Sequence, residues 1–194
     1  DICNLALSHL GDEANISSIS PPDESVQAQY CSRLYPLALA SLLERYHWGF
    51  ATKREALAQL VITTEQWGYG FAMPSDMIKL QNLFDSGFNE IVDYTTELHS
   101  SGVRVLYCDV DAVELIYTAS INNSSLFSPL FVDALAYLLA SRIAGPLLRG
   151  DVGVTAANRV LQLFAPAMKL AIEADAQGHK TSTRKNPSAI TART

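Results

Sequence analysis

The 194-residue sequence predicts a mainly α fold of the α+β class. Its expected form is a four-helix bundle with a small antiparallel β subdomain inserted between helices 2 and 3, followed by an extended C-terminal arm. Three observations lead there. Apolar residues recur at helical spacing in residues 1–50 and again in 120–176. Residues 51–119 instead break into short β-branched and aromatic runs separated by turn signals. Residues 177–194 are polar and basic, with no apolar periodicity, and read as a flexible arm. Residues 1–50 and 120–176 are thus expected to form the bundle, with 51–119 as the insertion.

The elements follow in order. Ile2, Leu5, Ala6 and Leu10 make a helical stripe closed by Gly11. Pro21-Pro22-Asp23 is expected to open a long second helix. Its apolar positions are Val26, Tyr30, Leu34, Leu37, Ala38 and Leu42, with a kink at Pro36 and an end at His47-Trp48-Gly49. Four to six strands are expected in "WGYGFAMP", "MIKLQNLF", "NEIVDYTT", "VRVLYCDV" and "VELIYTAS". Ser86-Gly87, Asn89, Ser100-Ser101-Gly102 and Asp109-Val110-Asp111 mark the turns. Ser128 is a candidate N-cap with Pro129 at the first helical position. The third helix runs through Phe131, Leu135, Leu138, Leu139 and Arg142 to a break at Gly145-Pro146. The fourth is expected from about Thr155 to Ala176 through Val160, Leu163, Phe164 and Leu170, with Pro166 inside it.

Hydrophobic residues make up 48% and charged residues 18%, enough for an ample core. The formal net charge of −6 argues against a general nucleic-acid binder, which displays a basic footprint. Cys3, Cys31 and Cys108 are far apart and form no C-x-x-C, so a reducing compartment is expected rather than a zinc ribbon or disulfide framework. The start at Asp1, without methionine or a basic apolar leader, leads us to expect a few missing residues and no signal peptide. Leu130 to Leu148 approaches the length of a membrane span, but Asp133 and Arg142 interrupt it. A buried helix and no membrane partner are expected. Charge is asymmetric. Residues 177–194 hold four basic residues and no acid, while residues 1–176 hold ten basic and twenty acidic ones.

No constellation asks for catalysis, a cofactor or a metal. His9, His47, His99 and His179 are scattered, with no zinc spacing among them. Asp109-Val110-Asp111 reads as a turn before it reads as a cation ligand. Gly68-Tyr69-Gly70 lacks the third glycine of a dinucleotide fingerprint, and no G-x-S-x-G or P-loop occurs. Cys31, between Tyr30 and Tyr35, reads as a small buried hydrophobe. Asp12-Glu13 falls in a loop, and Asp23-Glu24 where acids favour a helix N-terminus. The segment "ERYHWGFA" reads as a helix exit. Gly49 frees the backbone, and Trp48 and Phe50 carry the apolar area to anchor the sheet against the bundle.

Three segments carry a resemblance. "DICNLALSHLGD" with the later "AQYCSRLYPLALASLLERYHWGFATKREALA", then "GYGFAMPSDMIKL", then "LIYTASINNSSLFSPLFVDALAYLLASRIA" together resemble the head-to-tail adaptor proteins of short-tailed bacteriophages, also called tail tubular protein A or gatekeeper proteins. The likeness runs from Asp1 to about Ala176. It implies a non-enzymatic virion protein of the tail, assembled in the host cytoplasm. Such a protein forms a homo-oligomeric ring, typically twelve-fold, between the portal protein and the tail nozzle protein, and offers a platform for tail fibres. Double-stranded DNA passes through its channel during packaging retention and genome ejection without sequence-specific binding. The resemblance also implies that the arm embraces the portal or a neighbouring subunit; its four basic residues, Lys180, Arg184, Lys185 and Arg193, and its one large aliphatic residue, Ile190, are the expected contacts. The alternatives are a small prophage-encoded cytoplasmic enzyme using the β subdomain as a pocket wall, with His47, Asp76 or Asp111 as acid–base groups, and a regulatory homodimer.

Overall fold

The computed structural model describes residues 1–13, 15–62, 66–87 and 90–178. Four helices lie in it: α1 (Ile2–Ser8), α2 (Val26–Arg45), α3 (Pro129–Leu148) and α4 (Gly150–Gly178). Local chemistry sets their starts. The Ser25 hydroxyl accepts from the Ala28 amide at 3.1 Å and caps α2. The Ser128 hydroxyl accepts from the Phe131 amide at 3.2 Å, with Pro129 in the first turn of α3. Pro21-Pro22-Asp23 does not open α2. The Asp23 carboxylate instead accepts from the amides and hydroxyls of Ser17 and Ser25, and this tight preceding turn holds its carboxyl well below the usual range.

Gly145-Pro146 does not end α3, because a proline in the last turn forfeits only one ladder bond. The Arg149 amide donates to Gly145 O at 3.0 Å, and the chain then reverses through positive φ at Arg149 (56°) and Gly150 (55°). The fourth helix therefore starts five residues before Thr155. At the corner a Cβ on Gly153 would lie 2.9 Å from Ala144 O and 3.1 Å from Gly145 O, both backbone atoms that cannot swing away. Gly153→Leu should wedge α3 from α4 and destabilise by about 1–3 kcal/mol, the usual cost of overpacking. Thermal melting checks it.

The strands are β1 (Thr52–Ala56), β2 (Gln59–Leu60), β3 (Tyr69–Ala72), β4 (Met77–Asp85), β5 (Thr95–Leu98), β6 (Arg104–Cys108) and β7 (Val113–Ala119). They form two antiparallel sheets, ordered β1-β7-β4 and β2-β3-β6-β5. Phe71, Leu106 and Cys108 of the larger sheet pack with Leu83, Val113, Leu115 and Tyr117 of the smaller. Alternation along β7 makes this possible, since residues 113, 115, 117 and 119 share one face. Gly70 pairs with Tyr107, whose ring fills the space a Cβ would take.

This corrects the expected fold class. Helices make up 48% and strands 23%, a mixed α+β fold that is not clearly a four-helix bundle. Two physical reasons apply. At seven residues α1 is only about 10 Å long, too short to run beside the others. The long helices also do not surround a common axis: α3 packs against α1, α2 and α4 and is the hub between them. The strands meanwhile hold a buried apolar cluster of their own, apart from the helical one, with Ile121 packing on both.

Among the described residues, α3 alone is long and apolar enough to cross a membrane. Phe131, Leu135, Leu139 and Ile143 on it are fully buried by the neighbouring helices, which accounts for that composition. His9 stacks on Tyr137 of α3, ring centroids 4.3 Å apart, and its Nε2 is buried without a hydrogen-bond partner. Burial lowers its pKa, against a smaller upward pull from Asp133. The folded protein therefore takes up this proton less readily than the unfolded chain. His9 leaves stability intact above the ordinary pKa of 6.5 and diminishes it as pH falls through that value. His47, lowered by burial and by Lys79, acts with the same sign. His9→Phe should remove part of the loss between about pH 7.5 and pH 5, read from urea midpoints.

Candidate functional site

The corner after α2 is built around Trp48. Its side chain is fully buried, and its indole N–H donates to Leu42 O at 3.0 Å. Phe131 meets it edge-on at 4.8 Å, and Tyr46 does so at 5.1 Å. Phe50 packs on Trp48, Phe127 and Phe131 with centroids at 5.9, 5.4 and 4.9 Å. These aromatics belong to the helical core rather than to the interior of the sheets. The strands start from this point, because the Thr52 hydroxyl donates to Trp48 O at 2.8 Å just where β1 begins. Gly49 has a partner that the sequence did not suggest. Its amide donates to the Asp175 carboxylate, 3.1 Å to Oδ2 and 3.3 Å to Oδ1. That bond brings the C-terminal end of α4 to the corner. Lys180, Arg184, Lys185, Ile190 and Arg193 lie outside the described residues.

A second cluster joins Asp76, one of the acid–base candidates, to three residues that the sequence did not single out. The Tyr117 hydroxyl bonds both Glu55 Oε2 (3.0 Å) and Asp76 Oδ1 (3.1 Å), and Lys53 Nζ pairs with Asp76. Register explains the meeting: Lys53 lies opposite Tyr117 and Glu55 opposite Leu115, which puts all three on one face. Burial and the two carboxylates push the phenol pKa up, while Lys53 holds the Asp76 carboxyl down. Near neutral pH the phenol therefore stays protonated and the carboxyl stays ionised, so neither is poised to exchange a proton. The group thus works as a latch between β1, β7 and the turn before β4.

The other acid–base candidates do not join Asp76. His47 is exposed before the corner and feels Lys79, and Asp111 is exposed in the turn before β7. No hydrogen bond or ion pair connects the three among the described residues. In the same turn, the Asp109 carboxylate accepts from the Gly68 amide at 2.9 Å. No group of three or more His, Cys, Asp or Glu residues that could hold a metal occurs among the described residues.

The surface that most needs explaining is on α4. Gly153, Val160, Phe164 and Ala171 form its buried seam. Val152 (67% exposed), Leu163 (44%) and Leu170 (52%) do not share that seam, nor do Val154 (60%) and Leu161 (49%). At about 100° per residue, the first three fall on one line and the second two on another. The two lines flank the seam on opposite sides, roughly half a turn apart. Between them, on the outermost face, lie Asp151, Thr155, Asn158, Gln162, Lys169 and Glu173. One helix therefore carries a buried seam, two apolar flanks and a polar crest.

No family model matches the chain, and no curated protein is similar to it at a significant level. The likeness to head-to-tail adaptors stands on the three sequence segments quoted above.

Proposed function

We propose that this protein is a structural ring subunit of a phage virion, a head-to-tail connector between portal and tail nozzle through which duplex DNA passes. The single observation that carries the reading is the pair of apolar flanks on α4. A closed ring is built by a heterologous contact, in which one patch of a subunit meets a different patch of the next. Two unlike apolar strips on opposite sides of one helix are suited to that geometry, because each can be covered by the other strip of a neighbour. Exposed aliphatic residues aligned along one element mark an interaction surface more than scattered ones do. The latch at Tyr117 favours a rigid β part over a catalytic one.

The arm is the proposed portal contact. Its basic residues follow directly on α4, whose end is held at the aromatic corner by Asp175. Removing residues 179–194 should leave the body folded and the melting temperature unchanged. Capture of the protein by its portal should drop strongly, and the remaining capture should lose its sensitivity to salt. Equal portal capture by the full and shortened chains would sink the docking role. The ring itself is tested by mass photometry of the purified protein, alone and mixed with portal. A monomer under both conditions would overturn the reading.

A further inference from the structure

The described body is acidic, yet three cations converge where α2, α3 and β4 meet. Arg45 ends α2, Arg142 lies on α3 and Lys79 on β4. With Ser41 and Glu44 they line an open cleft of about 450 Å³. None of the three has a carboxylate oxygen within 4.0 Å among the described residues. Glu44 sits at the rim, and its backbone carbonyl rather than its side chain accepts from Lys79 Nζ, at 3.3 Å.

Neutral groups aim these cations. Arg142 Nη2 donates to Ser41 Oγ at 2.8 Å, and Ser41 Oγ donates onward to Leu37 O at 2.8 Å. The Arg45 guanidinium lies over the Phe164 ring, 5.3 Å from its centroid. Burial and the nearby Arg45 both depress the pKa of Arg142, so the like charges oppose one another. Holding like charges together without a counterion is unfavourable, and an anion in the cleft relieves it.

We propose that this cleft is an oxyanion site that takes a phosphate group, with Arg45 and Lys79 as its clamps and Arg142 at its base. Two guanidinium forks match the paired oxygens of such a group, and the ammonium adds a point charge from a third element. A free phosphate carries roughly −1.5 to −2 near neutral pH, more than one carboxylate or chloride, and a duplex brings the same excess by presenting neighbouring phosphodiesters of one charge each. Two sources supply it: free phosphate and the backbone of duplex DNA. The site does not rest on ring assembly, since all its residues come from one chain.

The test is calorimetric titration of inorganic phosphate into the full chain in chloride buffer at constant ionic strength, with a labelled short duplex followed by anisotropy in parallel. Arg45 is exposed and Lys79 half-buried, so Arg45→Gln and Lys79→Gln should fold, which their melting curves check. Each should weaken phosphate binding about tenfold, as removal of one charge-assisted donor does. Glu44→Gln should tighten binding severalfold by withdrawing a rim charge, a gain that a purely structural role would not produce. Duplex binding that falls in the same two variants assigns the DNA backbone as the source; phosphate binding without duplex binding assigns the free ion. No saturable binding of either probe, or affinities unchanged across the variants, overturns the site.

Discussion

Trp48→Ala is expected to destabilise the protein by about 3–5 kcal/mol, the range for deleting a large buried aromatic. The indole is wholly enclosed, so its removal leaves a cavity walled by Tyr46, Phe50 and Phe131. The neighbours cannot collapse freely. Phe131 is fixed at the start of α3, and Phe50 is held against Phe127 as well. The lost indole N–H also leaves Leu42 O, near the end of α2, without its donor. Trp48→Phe should recover much of the packing but not that bond, and should fall between the two. Chemical denaturation with both variants measures the difference. A melting curve for Trp48→Ala that overlays the parent would show that the corner does not hold the helical layer.

The second large effect is on assembly. Leu163→Asp alters one flank of α4 and Leu161→Asp the other, and both side chains are substantially exposed in the single subunit. Each variant should therefore remain folded while losing the proposed ring. A buried leucine at an interface is worth about 1.5–3 kcal/mol, and an unpaired carboxylate in its place adds further cost. At 1.4 kcal/mol per decade, each subunit contact should weaken at least about a hundredfold. Mixing the two variants separates the possible symmetries. If unlike flanks meet, Leu163→Asp still offers an intact Val154/Leu161 flank and Leu161→Asp an intact Val152/Leu163/Leu170 flank. The mixture should then form one productive contact and stop at a heterodimer by mass photometry. Full rings from either variant alone would remove α4 from the interface.

Several local features could be read from residue order. Ser25 lies three residues before the Ala28 amide it caps, and Ser128 three before Phe131, so these caps involve only neighbours in the chain. The runs that became β3, β4, β6 and β7 carry β-branched and aromatic residues between turn signals, and their position was legible. Strand β1 was not, because "TKREA" is a mostly exposed edge strand with four polar side chains in five and no apolar rhythm. The start of α4 was missed for a related reason: Gly150 and Gly153 look like breakers, yet the reversal at Arg149 uses one and close approach to α3 requires the other.

Residue order was enough to place the long helices to within a few residues, to place β3, β4, β6 and β7, and to show an ample core and an aromatic corner closing α2. Tertiary structure alone decided which face of each helix is covered. Val26 and Leu37 fit the apolar rhythm of α2 but are 55% and 58% exposed, as are Leu163 and Leu170 of α4 in similar measure. An apolar period says that a side must be buried somewhere, and only the packing partner says where. The same limit hid the fold class, because whether four helices share one axis or gather on α3 depends on contacts distant in sequence. It also hid the cleft. Arg142 reads as an interruption in an apolar run and Arg45 as the end of a helix, and only folding sets them beside Lys79 from a strand thirty-four residues further along than Arg45. Capping and turn formation act over three or four residues, whereas charge convergence and surface exposure are properties of the assembled layers.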